Sequence, residues 1–245
     1  MANEIKLSVV IPAYNEEKRI GGTLEKVIAY LLRQEYKFEI IIVDDGSKDR
    51  TTEIAANLTH GLSNYGLVKT GINKGKGSVV KTGMLKARGE FVLFMDADYS
   101  TPIEEIEKCF PAFELGFDIV IGSRRLPESK IKVHQPFLRE MMGKVFRLIA
   151  NSLLGLNVTD ITCGFKCFKN NVAQGIFKKQ LLERWGFDAE ILFLARKSGY
   201  LIQEIPVCWV NDDNSRVSLK IDALRSFQEI IQIVFNNSIG KYKNG

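Results

Sequence analysis

The chain of 245 residues contains only two histidines and four cysteines. Cys163 and Cys167 are separated by three residues, and neither a second close pair of cysteines nor a set of histidines accompanies them. This scarcity argues against a zinc site and against a framework of disulfide bonds. We therefore expect the cysteines to be buried free thiols.

Long apolar runs and linker sequences are also missing. No uncharged apolar stretch reaches the roughly 18 residues that a membrane-spanning helix needs. The N-terminal sequence MANEIKLSVVIPAYNEE lacks the charged and apolar regions of a signal peptide. No tract rich in Pro, Gly or Ser divides the chain, so we expect a single domain over residues 1–245 and a cytoplasmic location.

Strand patterns alternate with helical patterns along the first half of the chain. Strands are predicted over Lys6–Ile11 and within FEIIIVDD, YGLVKT, EFVLFMD and FDIVIGS, with helices between them. Parallel strands that are covered on both faces read as continuous Ile, Val and Phe runs, as these do. The pattern therefore predicts an α/β fold, with a doubly wound, mostly parallel sheet and helices on both faces.

Two of these strands end in pairs of acids. IIIVDDGSKDRT places Asp44 and Asp45 after one strand, and FVLFMDADYS places Asp96 and Asp98 after another. In open α/β sheets, ligands bind beyond the carboxyl ends of the strands. Asp96 and Asp98 repel each other unless a cation shares them, and Mg²⁺ typically binds one or two carboxylates together with substrate phosphates. A site for a metal-bound diphosphate is therefore predicted at this edge of the sheet.

Other polar residues at this edge have two explanations each. Ser47 and Asp49 suit a helix cap as well as a ligand site. In GINKGKGSVVKTG, Gly75 and Gly77 precede a helix and are interspersed with lysines, which suits phosphate binding and also an ordinary helix start.

The motifs VVIPAYNEE, VDDGSKDRT, NKGKGSVVKTG, MDADYS and IGSR occur in this order and together resemble the inverting glycosyltransferases of family 2, which have the Rossmann-like GT-A fold. DITCGFKCF, ERWGFDAEILFLARKSGY and IQEIPVCWV resemble the branch of dolichyl-phosphate β-glucosyltransferases and polyprenyl-phosphate glycosyltransferases. The resemblance implies a nucleotide-sugar-binding half over residues 5–122 and an acceptor-binding half over residues 123–245.

The same resemblance implies roles for individual residues on the donor side. The donor-binding residues would be Pro12, Ala13, Tyr14, Glu16, Asp44, Asp45, Gly75, Lys76, Asp96 and Ala97. Asp96 and Asp98 would bind Mg²⁺ or Mn²⁺, although related mannosyltransferases use a glutamine where this chain has Ser100. A UDP-sugar is the expected donor, UDP-glucose first, with UDP-N-acetylglucosamine and GDP-mannose left open.

On the acceptor side, the resemblance implies that Arg124, Arg139 and Arg216 hold a polyprenyl or dolichyl phosphate, with Trp185 beside the acceptor or the donor sugar. The implied catalytic residues are Asp98, Arg124 and Asp188. A lipid phosphate is already an anionic nucleophile, so it needs positioning more than a base. If the acceptor were a sugar hydroxyl, Asp188 or Glu190 would be the base. Alternatively, the arginines are surface residues, Trp185 and Phe187 belong to the core, and Asp188 caps a helix.

An amphipathic helix is predicted over residues 136–155, and Ile221–Ser238 is a second candidate. Residues 123–147 contain seven Lys or Arg and two Glu, an excess of five that equals the formal net charge of the chain, +5. We therefore expect a peripheral protein on the cytoplasmic face of a membrane, with no nucleic-acid partner. A packed helix or a homo-oligomer face would also fit this pattern.

Other functions fit the sequence less well. A family 2 enzyme that acts on a sugar hydroxyl of a glycan or polysaccharide is the main alternative. The processive motif Q-x-x-R-W is one residue too long here, from Gln180 to Trp185. The intact D-x-D argues against a non-catalytic sugar-binding protein, and a nucleotidyltransferase would have a glycine-rich loop after its first strand.

Overall fold

The computed structural model describes residues 5–133, 137–211 and 221–242. Its strands are β1 (Leu7–Ala13), β2 (Phe38–Asp44), β3 (Tyr65–Lys69), β4 (Phe91–Met95), β5 (Ile119–Ser123), β6 (Lys130–Val133), β7 (Phe165–Lys169), β8 (Ile202–Pro206) and β9 (Cys208–Val210). Its α-helices are α1 (Ile20–Leu31), α2 (Thr51–Thr59), α3 (Lys76–Lys86), α4 (Cys109–Glu114), α5 (Phe137–Leu154), α6 (Asn170–Lys179), α7 (Phe187–Lys197) and α8 (Ile221–Ser238), and a short 3-10 helix spans Ile103–Lys108.

The described residues form a mostly parallel seven-stranded sheet in the order β3-β2-β1-β4-β7-β5-β8. β1, β2, β3 and β4 run parallel, β5 pairs in parallel with β8, and β7 is antiparallel to both β4 and β5. The parallel α/β sheet and its first five strands were predicted from the sequence, and they are confirmed. The antiparallel strand β7 was not predicted, and neither was the separate pair of β6 and β9.

Helices cover both faces of the sheet because alternate residues of each strand point to opposite sides. Val10 of β1 and Phe94 of β4 belong to the core cluster that α3, α6 and α7 cover. Their neighbours Val9 and Leu93 belong to a second cluster, beneath α1 and α4. Each central strand is therefore buried on both faces, which explains its continuous apolar sequence.

The two predicted amphipathic helices are present. α5 lies within the predicted range 136–155, α8 has the predicted bounds, and the rings of Phe146 and Phe227 join them in an edge-to-face contact with centroids 5.8 Å apart. Among the described helices, none is long and apolar enough to cross a membrane.

The close packing of α3 on β1 depends on Gly83. A Cβ at this position would lie 2.3 Å from Val10 Cγ1 and 3.1 Å from Val43 Cγ2. Gly83→Ala should therefore lower the free energy of unfolding by about 1–3 kcal/mol through overpacking, as measured by urea denaturation.

Gly22 provides the matched control, since it is also a helical glycine but a Cβ added to it would meet no neighbouring atom within 4 Å. Gly22→Ala should leave stability unchanged or raise it by up to about 1 kcal/mol, because Ala is the better helix former. Equal effects at the two positions would contradict the packing argument.

Candidate active site

The loops that follow β1 and β2 are joined by hydrogen bonds at the carboxyl ends of their strands. The Asn15 amide, at φ 52°, donates to Ser47 Oγ (2.8 Å), and the Lys48 amide donates to Asn15 Oδ1 (2.8 Å). The Glu16 amide donates to Thr51 Oγ1 (2.6 Å). Ser47 and its neighbours therefore fix the geometry of the first loop.

Four of the residues that were predicted to bind the donor lie at the end of β1 or in the loop that follows it. Pro12 and Ala13 are buried in β1, and Tyr14 and Glu16 are half-buried in the loop. Glu16 accepts two hydrogen bonds from Arg19, from Nε (2.5 Å) and from Nη2 (2.6 Å).

Arg19 is a residue that the sequence reasoning missed. Its Nη1 lies 4.0 Å from Asp98 Oδ2. Since Arg19 also binds Glu16, it connects the loop after β1 to the D-x-D motif after β4.

The two acids after β2 bind different partners. Asp44 accepts the Ser47 amide (3.1 Å), whereas Asp45 accepts the amides of Lys74 and Gly75, each at 2.8 Å. Burial raises the pKa of the Asp45 carboxyl. Asp45 therefore links Lys74 and Gly75 to the end of β2. The contact of Asp44 and Asp45 with a nucleoside stays a prediction.

Gly75 and Gly77 let the backbone at the start of α3 lie close to another segment of the same chain. A Cβ on Gly75, at φ 115°, would lie 2.6 Å from the Glu183 carbonyl oxygen. A Cβ on Gly77 would lie 2.8 Å from the Leu182 carbonyl oxygen and 2.7 Å from Phe187 Cβ. The absence of side chains at these glycines lets the start of α3 pack against the segment 182–187, and phosphate binding by the same residues stays a prediction.

The D-x-D motif lies directly after β4. The Asp96 amide donates to the Gly164 carbonyl (3.1 Å), and a Cβ on Gly164 would lie 1.9 Å from Asp96 Oδ2. Ala97 is buried, and Asp98 Oδ1 accepts the Ser100 amide (2.9 Å). Burial and the neighbouring Asp96 carboxylate raise the pKa of Asp98. A cation between the two carboxylates would relieve this unfavourable pairing.

Lys76 lies among the acids of the site. Its Nζ is 2.6 Å from Asp96 Oδ1 and 5.7 Å from the centroid of the Trp185 ring. Burial opposes the charged form of Lys76, but the carboxylates of Asp96 and Asp188 outweigh it and raise the pKa. Lys76 therefore remains a cation next to the first acid of the D-x-D.

Arg124 follows β5 and forms a fork-shaped ion pair with Asp160. Nε and Nη2 of Arg124 donate to the two oxygens of Asp160 at 2.6 and 2.8 Å, and Nη2 also donates to Thr162 Oγ1 (3.0 Å). Burial opposes the charges of both partners, yet Asp160 raises the pKa of Arg124, and Arg124 lowers the pKa of Asp160. Nη1 is bound by neither Asp160 nor Thr162.

The other two arginines predicted on the acceptor side cannot be placed in the same way. Arg216 lies outside the described residues, and Arg139 lies in the first turn of α5 with its side chain outside the described part. Their contacts with an acceptor stay predictions.

Asp188 is paired with a lysine that the sequence reasoning missed. Lys166 Nζ lies 2.5 Å from Asp188 Oδ1 and donates to the Cys163 carbonyl (2.6 Å), and Lys166 is fully buried. Burial raises the pKa of Asp188, against the lowering effect of Lys166 and Lys76. Asp188 lies inside the first turn of α7, which begins at Phe187, so it is not the helix cap.

Glu190 was the other candidate base, and the structure gives it a structural role. Its two oxygens accept the amides of Leu181 (3.0 Å) and Leu182 (2.9 Å), and Oε1 also accepts the Tyr242 hydroxyl (2.6 Å). Glu190 is fully buried. It therefore holds the segment that precedes Trp185.

Trp185 and Phe187 have different environments, although both were considered as core residues. Phe187 is fully buried, and its ring centroid lies 5.9 Å from that of Phe94. Trp185 is half-buried, with Lys76 above its ring. Trp185 therefore borders the site, and its contact with the acceptor or the donor sugar stays a prediction.

The comparison with protein families matches residues 8–177 to the family described as glycosyl transferase family 2. The chain belongs to this family. A dolichyl-phosphate β-glucosyltransferase of Trichomonas vaginalis is 36% identical over 91% of this chain and 73% of its own length. A dolichyl-phosphate β-glucosyltransferase of Dictyostelium discoideum is 35% identical over 98% of this chain and 77% of its own length.

The fold of this glycosyltransferase also matches a solved structure. Glucosyl-3-phosphoglycerate synthase from Mycobacterium tuberculosis, in complex with Mn²⁺, UDP-glucose and phosphoglyceric acid, superposes with a TM-score of 0.68 at 17% identity. The match covers 94% of this chain and 80% of that chain. The expected GT-A fold is confirmed.

Asp98→Asn should raise the free energy of unfolding at pH 7 by about 1 kcal/mol, because burial and the neighbouring Asp96 both disfavour the ionised carboxylate. Thermal unfolding should show a Tm increase of about 2–4 °C. Folding raises the pKa of Asp98 above its value in the unfolded chain. The cost of its ionisation is therefore absent below the unfolded pKa and grows as the pH rises from the unfolded pKa to the folded pKa. The gain should therefore shrink toward pH 4.

Asp118→Asn is the matched control, because the Asp118 side chain is as exposed (24%) as that of Asp98 (23%) but pairs with Lys169 at 3.2 Å. This control should lose stability at pH 7 by less than about 1 kcal/mol. A loss of stability in Asp98→Asn as well would refute the proposed strain at the D-x-D.

Proposed function

We propose that this glycosyltransferase transfers glucose from UDP-glucose, with inversion, to the phosphate of a dolichyl or other polyprenyl phosphate. The two relatives that carry this activity in their names are 36% and 35% identical to it over most of the chain. The observation that carries the proposal within the site is the pairing of Asp188, the candidate base, with the fully buried Lys166.

Lys166 opposes proton uptake by Asp188, because a protonated Asp188 would leave the buried ammonium without its carboxylate partner, although burial of Asp188 acts the other way and raises its pKa. A sugar hydroxyl needs a base at this point, whereas a lipid phosphate carries its negative charge already. The pairing of Asp188 with Lys166 therefore favours the phosphate acceptor over the hydroxyl acceptor.

Arg124 is the residue that we assign to the incoming phosphate. Its guanidinium is held in place by Asp160 through Nε and Nη2, and we assign Nη1 to the phosphate. Arginine suits phosphate because its planar group donates several hydrogen bonds in a fixed geometry. Arg124 would hold the phosphate oxygen for attack on the anomeric carbon, which is a positioning effect rather than a proton transfer.

Asp96 and Asp98 fit a divalent cation, Mg²⁺ or Mn²⁺, as the residues that hold the donor diphosphate. No group of three or more His, Cys, Asp or Glu side chains suited to a metal occurs within the described ranges. Two carboxylates nevertheless suffice where diphosphate oxygens complete the ligand set. The Mycobacterium tuberculosis synthase was solved with Mn²⁺ and UDP-glucose together. The cation would stabilise the negative charge that develops on UDP.

We further propose that α5 and α8 bind the cytoplasmic surface of a membrane. On α5, Met141, Val145 and Leu148 form an exposed stripe in which they are 45%, 46% and 70% exposed. On α8, Ile231 (63%) and Phe235 (58%) form a second exposed stripe. Exposed apolar stripes suit a lipid surface, and on α5 the stripe is interspersed with basic residues; the polyprenyl acceptor would be held at this surface.

The activity is tested with UDP-glucose, UDP-N-acetylglucosamine and GDP-mannose, a short polyprenyl phosphate and Mg²⁺, with the glycolipid measured by mass spectrometry. We expect transfer of glucose from UDP-glucose.

Arg124→Lys keeps a positive charge opposite Asp160 but loses the two-pronged guanidinium group. The rate of transfer should therefore fall by tens of fold, while the affinity for UDP stays the same.

The comparison variant is the double substitution Lys166→Met with Asp188→Asn, which removes the carboxylate without leaving a buried charge unpaired. It should cost less than about tenfold in rate, because no proton has to be removed from the acceptor. A mild Arg124→Lys together with an inactive double variant would show that the acceptor is a hydroxyl.

Membrane binding is tested by replacing Met141, Val145 and Leu148 with Glu. Flotation with vesicles that contain phosphatidylserine should show at least about a tenfold loss of bound protein, because the apolar contact is lost and negative charge is added. Phe146 is unsuitable for this test, since it packs on Phe227 rather than facing solvent.

The matched control replaces three apolar residues exposed elsewhere, Leu32 (62%), Leu115 (79%) and Leu201 (56%), with Glu. It adds the same charge and should float like the unmodified protein. Equal loss in both triple variants would refute a specific docking face.

A further inference from the structure

A row of alternating charges crosses the site. It runs from Asp98 and Asp96 through Lys76 to Asp188 and ends at Lys166. Lys76 is the cation in the middle, and it is attracted by the acids on both sides of it. Its position therefore depends on which of these acids is engaged by another partner.

Lys76 holds one of the two oxygens of Asp96. Oδ2 lies against Gly164, where a Cβ would come within 1.9 Å of it. Oδ1 is the oxygen that Lys76 Nζ holds at 2.6 Å. A divalent cation that binds Oδ1 of Asp96 must therefore take this contact from Lys76.

We propose that Lys76 competes with the divalent cation for Asp96 Oδ1 and transfers to the donor diphosphate when the cation binds, so that cation and UDP each strengthen the binding of the other. This inference rests on the proposed function, in which the D-x-D holds a metal-bound nucleoside diphosphate.

The surroundings of Lys76 allow its ammonium group to move while its backbone stays in place. Asp45 holds the amide of Gly75, and the Glu183 carbonyl accepts the amide of Ser78, so the residues on both sides of Lys76 are fixed. The lysine side chain is long and flexible, with several rotatable bonds.

The exchange leaves no charge unpaired. The cation would neutralise Asp96 and Asp98, and the diphosphate would take over the ammonium of Lys76. Asp188, which Lys166 holds in position, keeps Lys76 at the site while its partner changes. Without a diphosphate, the cation must break the Lys76–Asp96 ion pair with no compensation, which weakens its binding. The affinity for the cation therefore depends on whether the diphosphate is bound. By thermodynamic linkage, the cation changes the affinity for the diphosphate by the same factor.

Isothermal titration calorimetry on the whole chain tests this proposal, with Mn²⁺ alone, UDP alone, and Mn²⁺ in the presence of saturating UDP. Lys76→Met should bind Mn²⁺ alone about tenfold more tightly than the unmodified protein, because the competitor is gone. The factor by which UDP strengthens Mn²⁺ binding should fall by at least about tenfold in the same variant.

Lys74→Met is the matched control, because Lys74 is in the same loop but its side chain is exposed. It should reproduce the values of the unmodified protein. Lys76→Gln should shift Mn²⁺ affinity in the same direction as Lys76→Met, and thermal unfolding of both variants confirms that they fold.

Unchanged or weaker Mn²⁺ binding by both Lys76 variants would overturn the competition while leaving the proposed transfer reaction intact. No Mn²⁺ binding by the unmodified protein, even with UDP, would overturn both the metal site and this proposal. Glucosyl transfer that continues in excess EDTA would count against the metal site, and with it this proposal, but not against the transfer reaction.

Discussion

Negative charge that is buried or partly buried at the carboxyl ends of the strands must be compensated, and the cations that compensate it come from distant parts of the chain. Arg19 reaches Asp98 from the first loop, Lys76 reaches Asp96 from the start of α3, and Lys166 reaches Asp188 from β7. Because an unpaired buried charge is strongly destabilising, these elements cannot shift independently. These ion pairs therefore help to hold together the edge of the sheet that carries the candidate site.

The reversed strand β7 makes this arrangement possible. Its first residue, Phe165, pairs with Met95, the last residue of β4, so the chain enters β7 at the edge where the parallel strands end. Gly164 and Lys166 are thereby placed beside the D-x-D. A parallel strand in this position would deliver its start to the opposite edge, far from Asp96.

Local patterns were enough to predict β1 to β5, the D-x-D and the two amphipathic helices, because each depends on periodicity or on a short motif. The partners of the charged residues were not predictable in this way. Asp160 lies 36 residues from Arg124, and Lys166 lies 22 residues from Asp188, so no spacing rule connects them. A lysine within the apolar strand FKCFK was the one available signal, since a lysine that is buried there needs an acid as its partner.

The C-terminal helix is bonded directly to the segment beside the site. Glu229 of α8 accepts the Gly186 amide at 2.7 Å, and a Cβ on Gly186 would lie 2.5 Å from Glu229 Cβ. Tyr242, beyond α8, binds Glu190. The exposed side of α8 is consequently fixed in position relative to Trp185, which directly precedes Gly186. If α8 lies on the membrane as proposed, the distance from the lipid surface to the site would be constant, so the phosphate of a lipid acceptor would reach the site in the same way whatever the length of its polyprenyl chain.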